Sequence, residues 1–171
     1  MEFAHITTKE ALAAYLNQLN IAVLSTVSSD GAPYAAVIYF VVDHDLNFYF
    51  LTLSDTKKAK NLQENKNTAL TTIDLPSMIT VQTTGMVQEV TDPQQYTYMV
   101  KKIGEANARK NKSQWPPPIS KLHSMGNIVV YKYTPKWLRI GDYSQKVSPD
   151  DQATERKSVF TQIIPNQESN S

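Results

Sequence analysis

Lys57 and Lys58 follow directly on Ser54-Asp55-Thr56, and Thr52 stands four residues before Thr56. Ser, Asp and Thr are the residue types that begin helices, so the segment carrying Lys57, Lys58, Lys60, Asn61 and Leu62 is predicted to be helical. A helix start presents N–H groups without partners, and cationic side chains there add full charge to the positive end of the helix dipole. The hydroxyls of Thr52 and Thr56 can add further donors. Such a set suits a doubly charged phosphate group. Other chemistries are poorly served. His5, His44 and His123 lie far apart and show none of the short spacings that ligate zinc, so no metal site is expected. The chain has no cysteine, which excludes a thiolate nucleophile, thiolate metal ligation and a disulfide framework. It also lacks a phosphate loop, a dinucleotide glycine fingerprint and a serine nucleophile elbow, so phosphate recognition must use a geometry other than the Rossmann fold.

The elements around the lysines read as an antiparallel meander. Ile21 to Val27 is rich in β-branched and apolar residues, and Asp30-Gly31 supplies the positive φ angles of a tight turn. The return strand runs from about Tyr34 to Val42. Its almost unbroken apolar run from Ala35 predicts that both of its faces are covered. Asp43 to Asn47 turns the chain into a third strand, Phe48 to Leu53. Ahead of them, Thr7 to Glu10 reads as a capping box for a helix with Ala11, Leu12, Tyr15, Leu16 and Leu19 on one stripe. Thr68 to Asp74 and Met78 to Val90 are further strands, the second with Gly85 at a predicted bulge or barrel corner. Asp92-Pro93 opens a helix with Tyr96, Met99, Val100 and Ile103 buried. Trp115 precedes a stiff triple proline, and Asn127 to Tyr133 and Trp137 to Tyr143 are read as two strands around a turn at Thr134-Pro135-Lys136. Alternation puts Trp137 and Arg139 on one face.

This order of parts, with a doubly covered strand, a strand ending in Leu51-Thr52 and then a helix opening on Lys57-Lys58, resembles the FMN-binding split-barrel family, the pyridoxamine 5′-phosphate oxidase-like proteins. The resemblance spans roughly Leu16 to Tyr143. It implies an α+β fold, an antiparallel Greek-key split β-barrel of six to seven strands with flanking helices. It also implies FMN as cofactor, held at the interface of a homodimer. Flavin-contacting positions fall on Val37, Ile38 and Tyr39, on Leu51 and Thr52, and near Thr80. The phosphate falls to Thr56, Lys57 and Lys58, and Trp137 and Arg139 lie where the chain returns to the flavin. The family's oxidases carry an arginine and a lysine on the strand that here reads Ala36-Val37-Ile38-Tyr39-Phe40-Val41, and an R-L-x-x-R signature where this chain has Trp137-Leu138-Arg139-Ile140-Gly141-Asp142. The expected activity is therefore an FMN-dependent oxidoreductase acting on a small molecule other than pyridoxamine phosphate, with NADH or NADPH as reductant. The alternative is a non-catalytic module that stores or senses flavin or haem. No catalytic side chain is assigned, because a flavin carries the electron transfer itself.

At 171 residues with a net charge of +1, the chain has the size of one domain and no electrostatic case for nucleic acid. No apolar run approaches the roughly 20 residues that cross a bilayer. A basic and then apolar leader is not seen at the start, so a cytoplasmic setting is expected. Residues 1–143 read as the FMN-binding split-barrel domain. Residues 144–171 read as a polar tail or dimer arm, in which Ser158 to Ile164 is the apolar exception.

Overall fold

The structure is a computed structural model and describes residues 8–110, 121, 124, 126–143 and 159–164. Trp115, His5 and His123 lie outside these. The elements are α1 (Lys9–Leu19), β1 (Ile21–Val27), β2 (Pro33–Val42), β3 (Phe48–Leu53), α2 (Lys57–Glu64), β4 (Asn67–Asp74), β5 (Ile79–Glu89), α3 (Pro93–Lys110), β6 (Ile128–Asp142) and β7 (Val159–Ile164). All strand pairs are antiparallel. The sheet runs β3-β2-β1-β4-β5-β6-β7, and a β3–β6 pairing closes the first six strands into a barrel. This is the α+β split barrel expected from the sequence.

One strand stands where the sequence suggested a hairpin. Residues 128–142 form the continuous β6 and there is no turn at Thr134-Pro135-Lys136. The register slips where Thr84 faces Trp137 but Gly85 faces Pro135, which leaves Lys136 as the extra residue of a bulge. Proline has no N–H for the ladder, and a bulge is where a strand tolerates one. Gly85 permits the close approach: a Cβ there would lie 2.2 Å from the Thr134 carbonyl oxygen.

The barrel interior is filled from every wall by side chains such as Leu24, Phe40, Phe48, Leu70, Val81 and Tyr133. Helix α1 starts at Thr8 rather than Thr7, with the Thr8 hydroxyl accepting from the Ala11 amide. It buries Leu12, Tyr15 and Leu16 in the core. Asn17 on this helix acts as a short piece of strand: its amide donates to Val42 O and accepts from Val42 N, each at 2.9 Å. Helix α3 is capped by Asp92, whose carboxylate accepts from the Gln95 amide at 2.7 Å. Its predicted stripe of Met99, Val100 and Ile103 packs on Val41, Tyr49 and Val130. Among the described residues no helix is long and apolar enough to cross a membrane.

The double cover expected for β2 holds for only part of the strand. Val41 lies under α3, but Val37 is 64% exposed, because α3 does not extend over that part of the sheet. Between β1 and β4 only three residue pairs form, and the hydroxyls of Thr68 and Thr72 continue the seam by donating to the carbonyls of Ser25 and Ile21.

Gly85→Ala is expected to lower stability by about 3 kcal/mol in urea unfolding, since backbone rather than a flexible side chain must yield. Gly31→Ala, in an open turn at φ +84°, should cost only about 1 kcal/mol.

Candidate functional site

The lysine-bearing helix is held against the hairpin end of the barrel. Ala59, Asn61 and Leu62 are buried, and the Asn61 amide donates to Thr26 Oγ1 at 3.0 Å. Thr56 is the N-cap. Its oxygen accepts from the Ala59 amide at 3.4 Å, and its hydroxyl donates to Leu53 O at 2.9 Å. The Thr52 hydroxyl sits 3.1 Å from that of Thr56. Since the one Thr56 proton goes to Leu53, Thr52 is the donor of this pair. Both hydroxyl protons therefore hold the strand-to-helix turn. The donors at the helix start are the Lys57 and Lys58 amides, for which no described hydrogen bond exists, and the two ammonium groups.

These ammonium groups diverge. Lys57 is exposed and stands over the Tyr34 ring, 5.3 Å from its centroid. Lys58 is half-buried, and burial alone lowers its pKa from the ordinary value of 10.5. No described carboxylate comes within ion-pair distance of it; the described ion pairs are His44–Asp45 and Lys101–Glu105. A cation kept partly out of water without a counter-charge favours a bound anion.

The remaining sequence-derived positions fall into two sets. Leu51 points outward beneath α3 and Thr52 inward. Ile38 is 3% exposed and belongs to the core, so only its backbone reaches the outer surface. Val37, Tyr39, Thr80, Trp137 and Arg139 lie on the outer face of the barrel. A single cross-strand row there runs Val37, Val23, Thr71, Gln82, Arg139. Arg139 donates to Gln82 Oε1 at 2.6 Å, and its guanidinium lies 5.5 Å from the centre of the Trp137 ring. The Thr80 hydroxyl oxygen is buried without a described hydrogen-bond partner. No described contact joins this face to Lys58 within the chain. The sequence reading missed Gln82, which strand alternation with Thr80 and Thr84 would have found, and Tyr34, for which the sequence carries no signal.

The closed six-stranded antiparallel barrel with three flanking helices defines the class, an α+β split barrel. The chain belongs to the pyridoxamine 5′-phosphate oxidase family, whose model matches residues 8–140. No curated protein matches it. Solved structures share the fold. A conserved hypothetical protein from Mycobacterium tuberculosis superposes with a TM-score of 0.65 at 19% identity, covering 88% of this chain and 98% of the other. HutZ, the haem storage protein of Vibrio cholerae, gives 0.60 at 17% identity, covering 77% and 94%. A pyridoxamine 5′-phosphate oxidase-related, FMN-binding protein from Nostoc punctiforme gives 0.58 at 14% identity, covering 80% and 83%.

Because Thr56 closes the turn with three hydrogen bonds, Thr56→Val is expected to cost about 1 kcal/mol in thermal unfolding. Thr52→Val should cost less, since it removes only one of them.

Proposed function

We propose that this protein binds FMN as a cytoplasmic homodimer and acts as a flavin-dependent oxidoreductase on a small molecule. The observation that carries the reading is the half-buried, uncompensated ammonium of Lys58 at the start of α2. Lys58 and the free amides of the first helical turn would hold the phosphate, with Lys57 adding charge from its seat on Tyr34. Flavin, when bound, supplies hydride or electron transfer. The chain's own residues bind and orient it. Val37, Tyr39 and Thr80 offer a largely uncharged surface for a planar ring, and Trp137 with Arg139 offers a stacking edge.

The dimer reading is supported by the same outer face. Ile21, Val23, Val37 and Ile73 are large apolar side chains exposed on adjacent strands, an arrangement that marks an interaction surface. The inner side of β2 is covered by the barrel core, and its outer side then has protein cover along its length, α3 over Val41 and a second copy over Val37. Pyridoxamine phosphate is not the proposed substrate, because Ala36 to Val41 carries no cation and residues 137–142 lack the R-L-x-x-R signature.

Lys58→Met, which keeps the aliphatic stem, is expected to weaken FMN binding in a fluorescence titration by roughly 1–3 kcal/mol, the value of one charge-assisted hydrogen bond. Lys57→Met should weaken it less. The sign of the pH dependence follows from the depressed Lys58 pKa: above the phosphate's second ionisation affinity stays constant while the amine is charged, and it falls as pH rises through a value below 10.5. That alkaline loss should be absent in Lys58→Met. Equal affinity of the variant and the parent would refute the phosphate assignment. Anaerobic addition of NADH or NADPH to the FMN-loaded protein should bleach the flavin faster than free FMN. A bound flavin that neither reduces nor any screened donor reduces would favour storage or sensing instead.

A further inference from the structure

The β4–β5 turn holds two large apolar side chains out in water on a rigid, unfavourable backbone. Leu75 is 67% exposed, and Met78 is exposed with a φ of +55°, a left-handed conformation that side chains with a Cβ rarely adopt. The turn is fixed from both sides. Met78 N donates to Leu75 O at 3.3 Å and Met78 O accepts from Tyr143 N at 3.0 Å. Asp74 Oδ2 accepts from Ser77 Oγ at 2.6 Å and from the Tyr15 hydroxyl at 2.9 Å. Burial pushes the Tyr15 hydroxyl up to about 12, so it stays a donor at neutral pH. Strain held so firmly, with apolar groups presented to solvent, is a mark of a functional contact.

A receptive surface lies at the other end of the same barrel face. A groove of about 360 Å³ is lined there by Val27, Pro33, Ala69, Thr84, Gly85 and Lys136, among others. Its volume is many times the ~30 Å³ share of one water molecule, so it can take side chains. Strand β4 links the two features: Asn67 lies at the groove and Asp74 at the turn, the far end of an 8-residue strand, about 23 Å away at roughly 3.3 Å per residue. Two copies packed face to face about a two-fold axis across the strands reverse their strand directions. Each turn is then set over the other copy's groove. Charge fits the same pairing, with the Asp74 carboxylate at the base of the turn and the Lys136 ammonium at the groove.

We propose that the β4–β5 turn of one copy seats Leu75 and Met78 in the groove of a second copy, twice per dimer. This contact rests on the homodimer reading above and specifies its geometry. The groove also includes Asn65, the residue that ends α2, so the partner's turn bears on the helix that carries Lys58.

The absence of cysteine makes the test direct. In the full chain, Leu75→Cys and Ser25→Cys are introduced singly and together, and each protein is treated with a short bis-maleimide, with light scattering run in parallel. The double variant should yield a covalent dimer on a denaturing gel, because within one chain Ser25 pairs with Ala69 and lies roughly 20 Å from Leu75 at about 3.3 Å per residue, too far for the linker; each single variant should stay monomeric there. Cross-linking of Leu75→Cys alone means turn meets turn and overturns the proposal. A dimer by light scattering with no cross-linking in any variant overturns the proposal and leaves the homodimer standing. A monomer by light scattering overturns both. As a second variant, Leu75→Glu should raise the dimer dissociation constant at least about tenfold, as loss of a central apolar anchor does. An unchanged constant contradicts the contact.

Discussion

Closure of the barrel through β6 is the constraint on which the rest depends. This one strand pairs with β5 along most of its length, with β3 over residues 128–133 and with β7 over residues 138–142. A strand cannot serve two different neighbours on one edge without bending between them. The bend is made where Pro135 meets Gly85 and Lys136 bulges out. A Cβ at position 85 would run into the Thr134 carbonyl oxygen, so the glycine is what lets the two backbones come this close. Phe48 and Phe50, which pack their rings on Tyr133 and Tyr131 across that seam, hold the closed form from inside.

Closure decides what remains outside. A barrel this small fills its interior with side chains, so any ligand must be met on the wall or at an end. Helix α3 covers one sector of the wall and α1 lies against β2 and β4, which leaves the β2-β1-β4-β5 face open with its apolar rows. Helix α2 occupies the hairpin end through Asn61 and Thr26, and the short turn before it fixes the direction of its first N–H groups. The anion-receptive helix start and the apolar face are thus both products of one topology. In the proposed homodimer, their juxtaposition across two copies would give a ligand a charged grip and a flat surface at once.

Much of this was legible in the sequence, and the failures have physical causes. Element order, the N-caps at Thr56 and Asp92, the buried stripe of α3 and the bulge at Gly85 followed from local chemistry, because each depends on a few neighbouring residues. The single β6 was misread as a hairpin because Thr134-Pro135-Lys136 looks like a turn unless it is known that a glycine from β5 faces the proline. The apolar run of β2 indicated two covered faces. One chain cannot reveal that a helix hides Val41 while Val37 stays open. The two lysines read as a pair, yet neighbours on a helix point about 100° apart, and Lys57 found Tyr34 while Lys58 turned into the protein. The threonine hydroxyls read as spare donors and are instead committed to the cap.

In the proposed FMN complex Lys58 meets a phosphate dianion. The phosphorus-31 resonance of FMN reports this directly when followed against pH with the protein in excess. A charged ammonium beside the phosphate stabilises the dianion, so its second ionisation, near pH 6 for a phosphate monoester in water, should move to lower pH on binding. The shift should shrink in Lys58→Met. A bound FMN whose phosphate titrates as it does in free solution would contradict the account.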